Sequence, residues 1–165
     1  MDDEKLHRAF IGLGSNLGER KENILTALAH MKERGIMVQR LSSFIETAPY
    51  GVTDQPDFVN AAAEVVTKLQ PLELLRTLLK IELDMGRVRK RHWGERNIDL
   101  DLLLYEDVVM TSPELNLPHP DMQNRGFVLN PLAELAPEVV HPVLGKTLLQ
   151  LQQELAAREK LEENR

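Results

Sequence analysis

The sequence predicts one α/β domain of the α+β kind, with a mainly antiparallel sheet around a split β-α-β core. Its 165 residues suit a single hydrophobic core. Hydrophobic residues make up 42% and charged residues 28% of the chain, which is typical of a globular protein. The apolar patterns run in the order strand, helix, strand, strand, helix, strand, which is the order of the ferredoxin-like fold. Its simplest form here is a sheet with helices on one face, extended by the C-terminal third.

The first two elements are predicted from apolar periodicity and from turn residues. Residues 8–14 are mostly apolar or small and predict a short buried strand, and apolar side chains at helical spacing predict a helix over 19–34. Asn16 and Glu19 have the spacing of a capping box, and Gly35 suits the end of a helix.

The middle of the chain is predicted as two strands and a second helix. Residues 36–46 and 58–67 are rich in Val, Ile, Ala and Phe, which favours strands. Two prolines and a glycine between them make 47–57 a loop. Pro71 is a favoured first helical residue, and the helix that it begins is expected to end near Gly86.

The last third is predicted as one strand and short helical pieces. Residues 98–105 form the strand, and helical pieces occupy about 121–135 and 146–160. Residues 158–165 are mostly charged, so we expect this tail to be frayed. The predicted domain takes in all of 1–165.

Composition excludes several classes of site and location. The chain has no cysteine, which excludes disulfides, thiolate metal sites and cysteine nucleophiles. No run approaches the ~20 apolar residues that cross a bilayer, and the first residues are acidic where a secretory signal is basic. We therefore expect a cytoplasmic protein with no membrane partner. No long apolar surface stripe is evident, so we also expect a monomer.

One segment has a net charge opposite in sign to that of the whole chain. The whole sequence has a net charge of −6, whereas residues 87–96 carry five positive charges and one negative charge. A compact cationic loop on an acidic body is suited to holding a small polyanion. The acidic body argues against a general nucleic-acid binder. A solvated charge run is the alternative interpretation of the segment.

Two carboxylates, Asp99 and Asp101, follow the basic segment within an apolar strand. Strand alternation places them on one face and four apolar residues on the other: Ile98, Leu100, Leu102 and Leu104. Carboxylates two residues apart on a strand lie roughly 6–7 Å from each other, which suits two hard cations that also bind phosphate oxygens. A wet polar face on an edge strand is the alternative, and the neighbouring cationic loop favours the site.

Three arginines flank this pair in sequence: Arg87, Arg89 and Arg96. A guanidinium binds phosphate through two parallel hydrogen bonds and keeps its charge, so three arginines with Mg²⁺ would neutralise a triphosphate. Lys90 and Arg91 are expected to be partly solvated.

Rings and one amide indicate a flat polar ligand. Trp93, the only tryptophan, lies in the basic segment, where no hydrophobic periodicity would bury it, and suits stacking. Phe58 and Asn60 share one face of their strand, so a ring lies beside an amide that both donates and accepts. Such a pair suits a heterocycle with a peptide-like edge, although core packing alone would also explain Phe58. His119, Arg125 and Phe127 lie together in a later segment bounded by Pro and Gly, which is a weak signal alone.

Five motifs occur in order between residue 9 and about residue 150. They are Gly-Ser-Asn-Leu-Gly after the first strand, Gln55-Pro-Asp-Phe-Val-Asn60-Ala-Ala, Gly86-Arg-Val-Arg89, Trp93-Gly-Glu-Arg96-Asn-Ile-Asp99-Leu-Asp101 and Pro118-His119-Pro-Asp-Met-Gln-Asn-Arg125-Gly-Phe127. With these motifs the chain resembles the 6-hydroxymethyl-7,8-dihydropterin pyrophosphokinase family of folate biosynthesis. The match covers nearly the whole chain, and five co-linear motifs are highly specific.

The resemblance implies transfer of diphosphate from ATP to the hydroxymethyl oxygen of the dihydropterin, with release of AMP, on a three-layer ferredoxin-like fold. It implies two Mg²⁺ ions on Asp99 and Asp101, with Arg87 and Arg96 as catalytic arginines. The implied ATP contacts are Leu75, Glu82, Arg87, Arg89, Trp93, Arg96, Leu102, Leu115, Asn116, His119 and Arg125. The implied pterin contacts are Thr47, Ala48, Pro49, Tyr50, Phe58, Asn60, Trp93, Asp99 and Phe127.

Four positions depart from the family pattern: Phe58, Leu79, Glu114 and Pro120. The change at Phe58 keeps the ring, and the other three concern contacts to adenosine and ribose. The loops 47–57 and 84–96 are polar and marked by Gly or Pro, so we predict that they close over the substrates.

Two other functions fit parts of the pattern. A two-metal nucleotidyl transferase or cyclase of the polymerase-palm type also places an acid pair on a ferredoxin-like sheet, and it would release pyrophosphate in place of AMP. An RNA-binding module would use the basic segment and Trp93, and its binding would weaken steeply with salt. The acidic body and the aspartate pair disfavour RNA as a partner.

Overall fold

An antiparallel sheet lies at the centre of the computed structural model, which describes residues 5–47, 57–86 and 97–163. Its five strands are β1 (His7–Ser15), β2 (Ile36–Leu41), β3 (Ile45–Thr47), β4 (Phe58–Thr67) and β5 (Asp99–Tyr105). They are ordered β2-β4-β1-β5, with β3 also paired to β4. Because β4 lies between β1 and β2, the β-α-β unit is split, which confirms the ferredoxin-like fold.

Four helices and one short hairpin complete the described elements. The helices are α1 (Arg20–Glu33), α2 (Pro71–Asp84), α3 (Gly126–Leu135) and α4 (Leu148–Glu163). The hairpin consists of β6 (Met110–Thr111) and β7 (Asn116–Leu117), and a single 3-10 turn, Met122–Asn124, precedes α3. Among these described helices, none has both the length and the apolar character that crossing a membrane requires.

The sheet is covered on both faces, which makes three layers. One core joins the sheet to α1 and α2, through residues such as Ile11 and Leu78. A second core joins the opposite face to α3 and α4, through residues such as Phe10 and Leu129. This confirms the three-layer fold that the family resemblance implies. Helices on one face, the simplest form of the strand and helix pattern, describe only α1 and α2, since the C-terminal helices cover the other face. The central strand β1 is buried on both sides, which accounts for its nearly continuous apolar run.

The helix ends agree with the sequence at two points and differ at two. Gly35 follows α1 with φ +81°, and Pro71 is the first residue of α2, as predicted. The predicted capping box at Asn16 is wrong, because Glu19 is the N-cap residue and makes no side-chain cap. A capping box exists instead at α2, where the backbone N–H of Gln70 donates to the side chain of Glu73. Helix α4 continues to Glu163, past the point where fraying was expected.

The predicted strand 36–46 is divided into β2 and β3 at Ser42. The backbone N–H of Ser42 donates to the carbonyl of Ala62 (2.9 Å), and the Ser42 hydroxyl accepts from the N–H of Ala62 (2.8 Å). A side-chain oxygen thus takes the place of a backbone partner, and the ladder resumes at Ile45.

A register shift alters the end of β5. The pairing of β1 with β5 shifts between Phe10 and Ile11, so one residue of β5 is extra. Leu103 and Leu104 both pack in the second core as a result. The prediction that Leu104 shares a face with Leu100 was wrong for this reason. The carbonyl of Leu103 accepts a hydrogen bond from the backbone N–H of His119 (2.9 Å), so the shift also fixes the next segment to β5.

Candidate active site

Asp99 and Asp101 lie side by side on the face of β5 that also bears the second core. Both side chains are half-buried, and Leu100 between them points into the first core, as the alternation predicts. The neighbouring strand β1 places a glycine opposite each carboxylate, because Gly14 pairs with Asp99 and Gly12 with Asp101. Neither aspartate therefore has a β1 side chain directly across from it.

Asn60 on β4 lies in line with Asp99 on β5, and the central strand β1 lies between them. Gly14 pairs with Asn60 on β4 and with Asp99 on β5, so these three residues cross neighbouring strands in order. Directly paired residues of an antiparallel sheet share a face. With strands about 4.8 Å apart, the backbones of Asn60 and Asp99 are roughly 10 Å from each other.

The Asn60 carboxamide is held in a fixed orientation. Its Nδ2 donates to the hydroxyl of Thr47 on β3 (2.8 Å). Its Oδ1 lies above Gly14, only 2.9 Å from the point that a Cβ of that residue would occupy, and the Phe58 ring carbon Cδ1 lies 3.6 Å from the same point. The prediction that Phe58 and Asn60 share one face of β4 is therefore confirmed.

His119 lies near Asp99, and its burial favours the neutral form of the ring. Burial lowers the pKa of His119, and the nearby charge of Arg125 lowers it further, whereas Asp121 and Asp99 act in the opposite direction. Its Nδ1 atom is buried and has no hydrogen-bond partner among the described residues. His119 is therefore a buried polar residue close to the Asp99 carboxylate.

Arg125 and Phe127 lie at the start of α3. The Asn124 amide donates to the Asp121 carboxylate (2.8 Å), and the Arg125 Nε donates to the same carboxylate (3.3 Å). These hydrogen bonds lower the pKa of Asp121, and the bond from Asn124 has the larger effect. Phe127 is the second residue of α3, which packs on β4, the strand of Phe58. The loop residues and the β4 residues thus belong to neighbouring elements at one side of the sheet.

Glu82, a predicted ATP contact, is buried on the other side of β5. Only 3% of Glu82 is exposed, and its carboxylate accepts the backbone N–H of Leu100 (2.7 Å). Leu100 is the residue between the two aspartates. The described contact of Glu82 therefore holds the strand that carries the carboxylates.

The other predicted adenosine contacts are also separate from the carboxylate face. Leu102 and Leu115 are buried in the first core, with 3% and 6% exposure, and Leu75 packs against that core. Asn116 is exposed at the start of β7. Leu75 is on α2, Leu102 on β5 and Asn116 on β7, and both α2 and β7 contact β5.

Glu114, one of the departing positions, has a partner that the sequence did not reveal. Arg76 on α2 donates to both of its carboxylate oxygens, through Nε and Nη2, each at 2.8 Å. The hydrogen bond raises the pKa of Arg76 and lowers that of Glu114. This pair joins α2 to the β6–β7 hairpin beside the predicted adenosine contacts.

Seven predicted site residues lie outside the described ranges: Ala48, Pro49, Tyr50, Arg87, Arg89, Trp93 and Arg96. These seven residues belong to two segments, 48–56 and 87–96, and the structure describes the residues on either side of each segment. Thr47, which contacts Asn60, precedes the first segment. Met85 and Asn97 bound the second one, and the Asn97 side chain donates to the Met85 carbonyl.

Gly14 is a site residue that the sequence reasoning missed. Glycine within a strand often marks a close approach by another group, and Gly12 and Gly14 alternate within β1. That signal is present in the sequence, but only the pairing of β1 with β4 shows that the approaching group is the Asn60 amide.

Comparison with known proteins identifies the family of this chain. The model of the 7,8-dihydro-6-hydroxymethylpterin-pyrophosphokinase (HPPK) family matches residues 10–137. A 2-amino-4-hydroxy-6-hydroxymethyldihydropteridine pyrophosphokinase from Synechocystis is 44% identical over 149 residues, which are 90% of this chain and 76% of that protein. A mitochondrial folate synthesis bifunctional protein from Arabidopsis thaliana is 50% identical over 129 residues, which are 78% of this chain and 23% of that protein.

A solved structure shows the same fold within a longer chain. The crystal structure of wild-type Plasmodium falciparum HPPK-DHPS superposes with a TM-score of 0.78 at 18% identity. The superposition covers 98% of this chain and 47% of that one, so this chain spans about half of its length. The family model and the relatives together show that this chain belongs to the HPPK family, whose members are ATP-dependent pyrophosphokinases that generally require magnesium.

Proposed function

We propose that this chain transfers diphosphate from ATP to the hydroxymethyl group of 6-hydroxymethyl-7,8-dihydropterin, giving the pterin diphosphate and AMP for folate biosynthesis. Family membership supports the reaction. The observation that supports its location is the row of Asn60, Gly14 and Asp99 across three strands. An amide suited to the pterin and a carboxylate suited to the cation thus lie on the same face of the sheet.

The aspartate pair fits magnesium by the chemistry of its donors. No group of three or more His, Cys, Asp or Glu side chains that could hold a metal occurs in the described part of the chain. Mg²⁺ commonly takes only one or two carboxylates and completes its shell with water and substrate phosphates. We propose that Asp99 and Asp101 hold two Mg²⁺ ions together with ATP. Bound there, the ions would supply Lewis-acid stabilisation of the charge on the phosphates.

The pterin is proposed to lie along the row, with its amide edge at Asn60. One Nδ2 hydrogen is used by Thr47, which leaves one donor and the Oδ1 acceptor for a lactam edge. Phe58 and Phe127 would hold the two faces of the ring. The backbone of 47–50 would also contact the edge, and Trp93 would close the site. The hydroxymethyl group would then extend towards Asp99.

The phosphates are proposed to lie between the aspartates and the cationic residues. Among the described residues, His119 is near Asp99, and Arg125 is near His119. Arg87, Arg89 and Arg96 belong to the segment that Met85 and Asn97 bound. Cationic groups fixed around a developing charge are usually the largest contribution to catalysis of this kind.

The proposed reaction is a displacement at the β-phosphorus of ATP. The hydroxymethyl oxygen forms a bond to that phosphorus, the bond to the oxygen that bridges the α and β phosphates breaks, and AMP leaves with the electron pair. Asp99 orients the attacking hydroxyl, whose proton passes to solvent. Arg87 and Arg96 stabilise the charge on the bridging oxygen and on the transferred group.

The adenosine is proposed to contact the edge of the first core. Leu102 and Leu115 belong to that core and Leu75 packs against it, and Asn116 is exposed at the start of β7. Glu82 would act on this side through its bond to Leu100. The loops 47–57 and 84–96 are proposed to close over both substrates, and hydrogen exchange with and without an ATP analogue tests this. Equal protection in both states would contradict closure.

A single incubation tests the proposed reaction. The chain is mixed with ATP, Mg²⁺ and the dihydropterin, and the nucleotide products are separated. We expect AMP and pterin diphosphate in equal amounts. Free pyrophosphate in place of AMP would instead support a two-metal nucleotidyl transferase, which is the alternative function.

We also propose that residues 1–165 act as one domain, as a monomer, in the cytoplasm and without a nucleic-acid partner. Sedimentation at several protein concentrations tests the oligomeric state, and a mass of two chains would contradict it. Cell fractionation tests the location.

A further inference from the structure

Gly14 contributes no side chain to the row that it occupies, and its backbone does not require glycine. The described glycines with positive φ are Gly18, Gly35, Gly86 and Gly145, so Gly14 has a backbone conformation that any residue adopts. What requires glycine is space. A Cβ here would lie 2.9 Å from the Oδ1 of Asn60, closer than real Cβ atoms approach another heavy atom.

Gly12 provides the contrast on the same strand and the same face. A Cβ on Gly12 would meet only the side chain of Leu103, with its nearest carbon at 3.4 Å, which is ordinary van der Waals contact. The two glycines therefore differ in what a methyl group would displace. At Gly12 it would touch a flexible apolar side chain, and at Gly14 it would meet a polar amide.

We propose that Gly14 is a positioning residue that determines pterin affinity by leaving room for the Asn60 carboxamide to lie flat across β1. This inference rests on the proposed function of the site. The amide is 7% exposed and is held by Thr47 at one end and by the surface of Gly14 at the other. Its remaining donor and acceptor can then face a ligand in only one orientation.

A methyl group at Gly14 should move the amide and spare the fold. The atom in its way, Oδ1, is at the free end of a side chain, so a rotation of the carboxamide relieves the contact. That rotation takes Nδ2 out of line with the Thr47 hydroxyl. The hydrogen-bonding edge of the pterin would then face a misaligned amide. A buried donor or acceptor that is left without a partner costs more affinity than the removal of both partners.

The test compares Gly14→Ala with Gly12→Ala as the matched control. Pterin binding is measured by its fluorescence, with Mg²⁺ and an ATP analogue that carries a methylene group between the α and β phosphates. We expect Gly14→Ala to weaken pterin binding by about tenfold or more. In Gly14→Ala the unfolding midpoint should remain near its original value. Gly12→Ala adds a methyl group to the same face of β1 without meeting Asn60, so its pterin affinity should fall much less than that of Gly14→Ala.

A double-mutant cycle separates positioning of the amide from a general effect on the sheet. In an Asn60→Ala background the amide is gone, so Gly14→Ala should produce no further loss of pterin affinity. A further loss of tenfold in that background would overturn the inference, as would unchanged pterin affinity in Gly14→Ala alone. If Gly14→Ala does not fold, the double variant Gly14→Ala/Asn60→Ala, which lacks the close contact, is compared with Asn60→Ala. Equal pterin affinity of these two variants would support the inference, and a tenfold lower affinity of the double variant would overturn it. Failure of the original chain to bind any pterin would instead refute the proposed function.

Discussion

The side chain of Asn97 donates a hydrogen bond to the backbone carbonyl of Met85, and so joins a residue two positions before Asp99 to the residue that follows α2. The basic segment 87–96 lies between these two residues in the sequence. The hydrogen bond therefore holds together two described residues on either side of this segment, close to the start of the strand that carries Asp99. This hydrogen bond is the described contact that supports placing the predicted arginines at the carboxylates.

Replacement of Asn97 by alanine should lower turnover more than it lowers stability. The change removes one hydrogen bond, which contributes about 0.5–1.5 kcal/mol to the free energy of unfolding. The arginines would be held less closely to the phosphates, so kcat should fall while ATP affinity changes less. Asn130→Ala is the control, since Asn130 also uses its side chain in one hydrogen bond, from Gln152. Equal kcat in both variants would count against the anchoring role.

Replacement of Glu82 should distinguish its acceptor oxygen from its charge. Glu82→Ala leaves the N–H of Leu100 without this acceptor, and an unsatisfied buried donor costs about 1–3 kcal/mol. Glu82→Gln keeps an oxygen at the same position and should lose less stability. Urea unfolding of the two variants measures the difference. Identical losses would show that the hydrogen bond to Leu100 does not hold β5.

Replacement of Asp101 by alanine should abolish turnover without unfolding the chain. The side chain is half-buried on the surface of the sheet, so little core packing is lost. Removal of a proposed cation ligand should lower kcat by roughly a hundredfold or more. Asp107→Ala removes an exposed carboxylate after β5 and should leave kcat unchanged. Near-normal turnover of the Asp101 variant with Mg²⁺ would refute the metal assignment.

Stability should fall as the pH falls below about 6.5. Burial lowers the pKa of His119 and of His141 from their ordinary value of 6.5. The unfolded chain therefore binds protons first, and the folded state loses stability from the ordinary pKa down through the lowered one. The Nδ1 of His141 accepts the N–H groups of Val143 and Leu144, which protonation would disrupt.

Urea unfolding measures this loss of stability as the difference in the free energy of unfolding between about pH 7.5 and about pH 5.5. Histidines are the side chains that ordinarily change charge between these two pH values. The hydrogen bond from Arg76 lowers the pKa of Glu114 below 4.5, so that ion pair does not titrate in the window. His141→Asn keeps an acceptor but cannot be protonated, and should show a smaller loss between the two conditions. Equal losses in the variant and the original chain would assign the pH dependence to other groups.

Much of the fold could be predicted because its elements have strong periodicity. The strands β1, β4 and β5 and the helices α1 and α2 occur where apolar spacing and turn residues place them. The hairpin of β6 and β7 was missed, because two-residue strands contain no period. The second helical layer was expected from the family resemblance alone, because local patterns do not show which face of a sheet a later helix covers.

The site was predicted as a set of residues, but their arrangement could not be. Strand alternation alone predicts that Asp99 lies on the face opposite Leu100 and the first core. The same alternation gives the wrong face for Leu104, because the register shift depends on pairing with β1. The relation of Gly14 to Asn60 depends on the register of strands far apart in the sequence. The partnership of Arg76 and Glu114 likewise joins two elements that no local pattern connects.

The measurement that tests the account most directly asks whether the cation and the pterin amide share one space. Mn²⁺ in place of Mg²⁺, bound with the methylene ATP analogue, broadens NMR signals of nearby protons. Since the strands of Asn60 and Asp99 are roughly 10 Å apart, the side-chain amide signals of Asn60 should broaden in the original chain and stay sharp in Asp101→Ala. Sharp Asn60 signals in the original chain with Mn²⁺ and the analogue bound would contradict a common site.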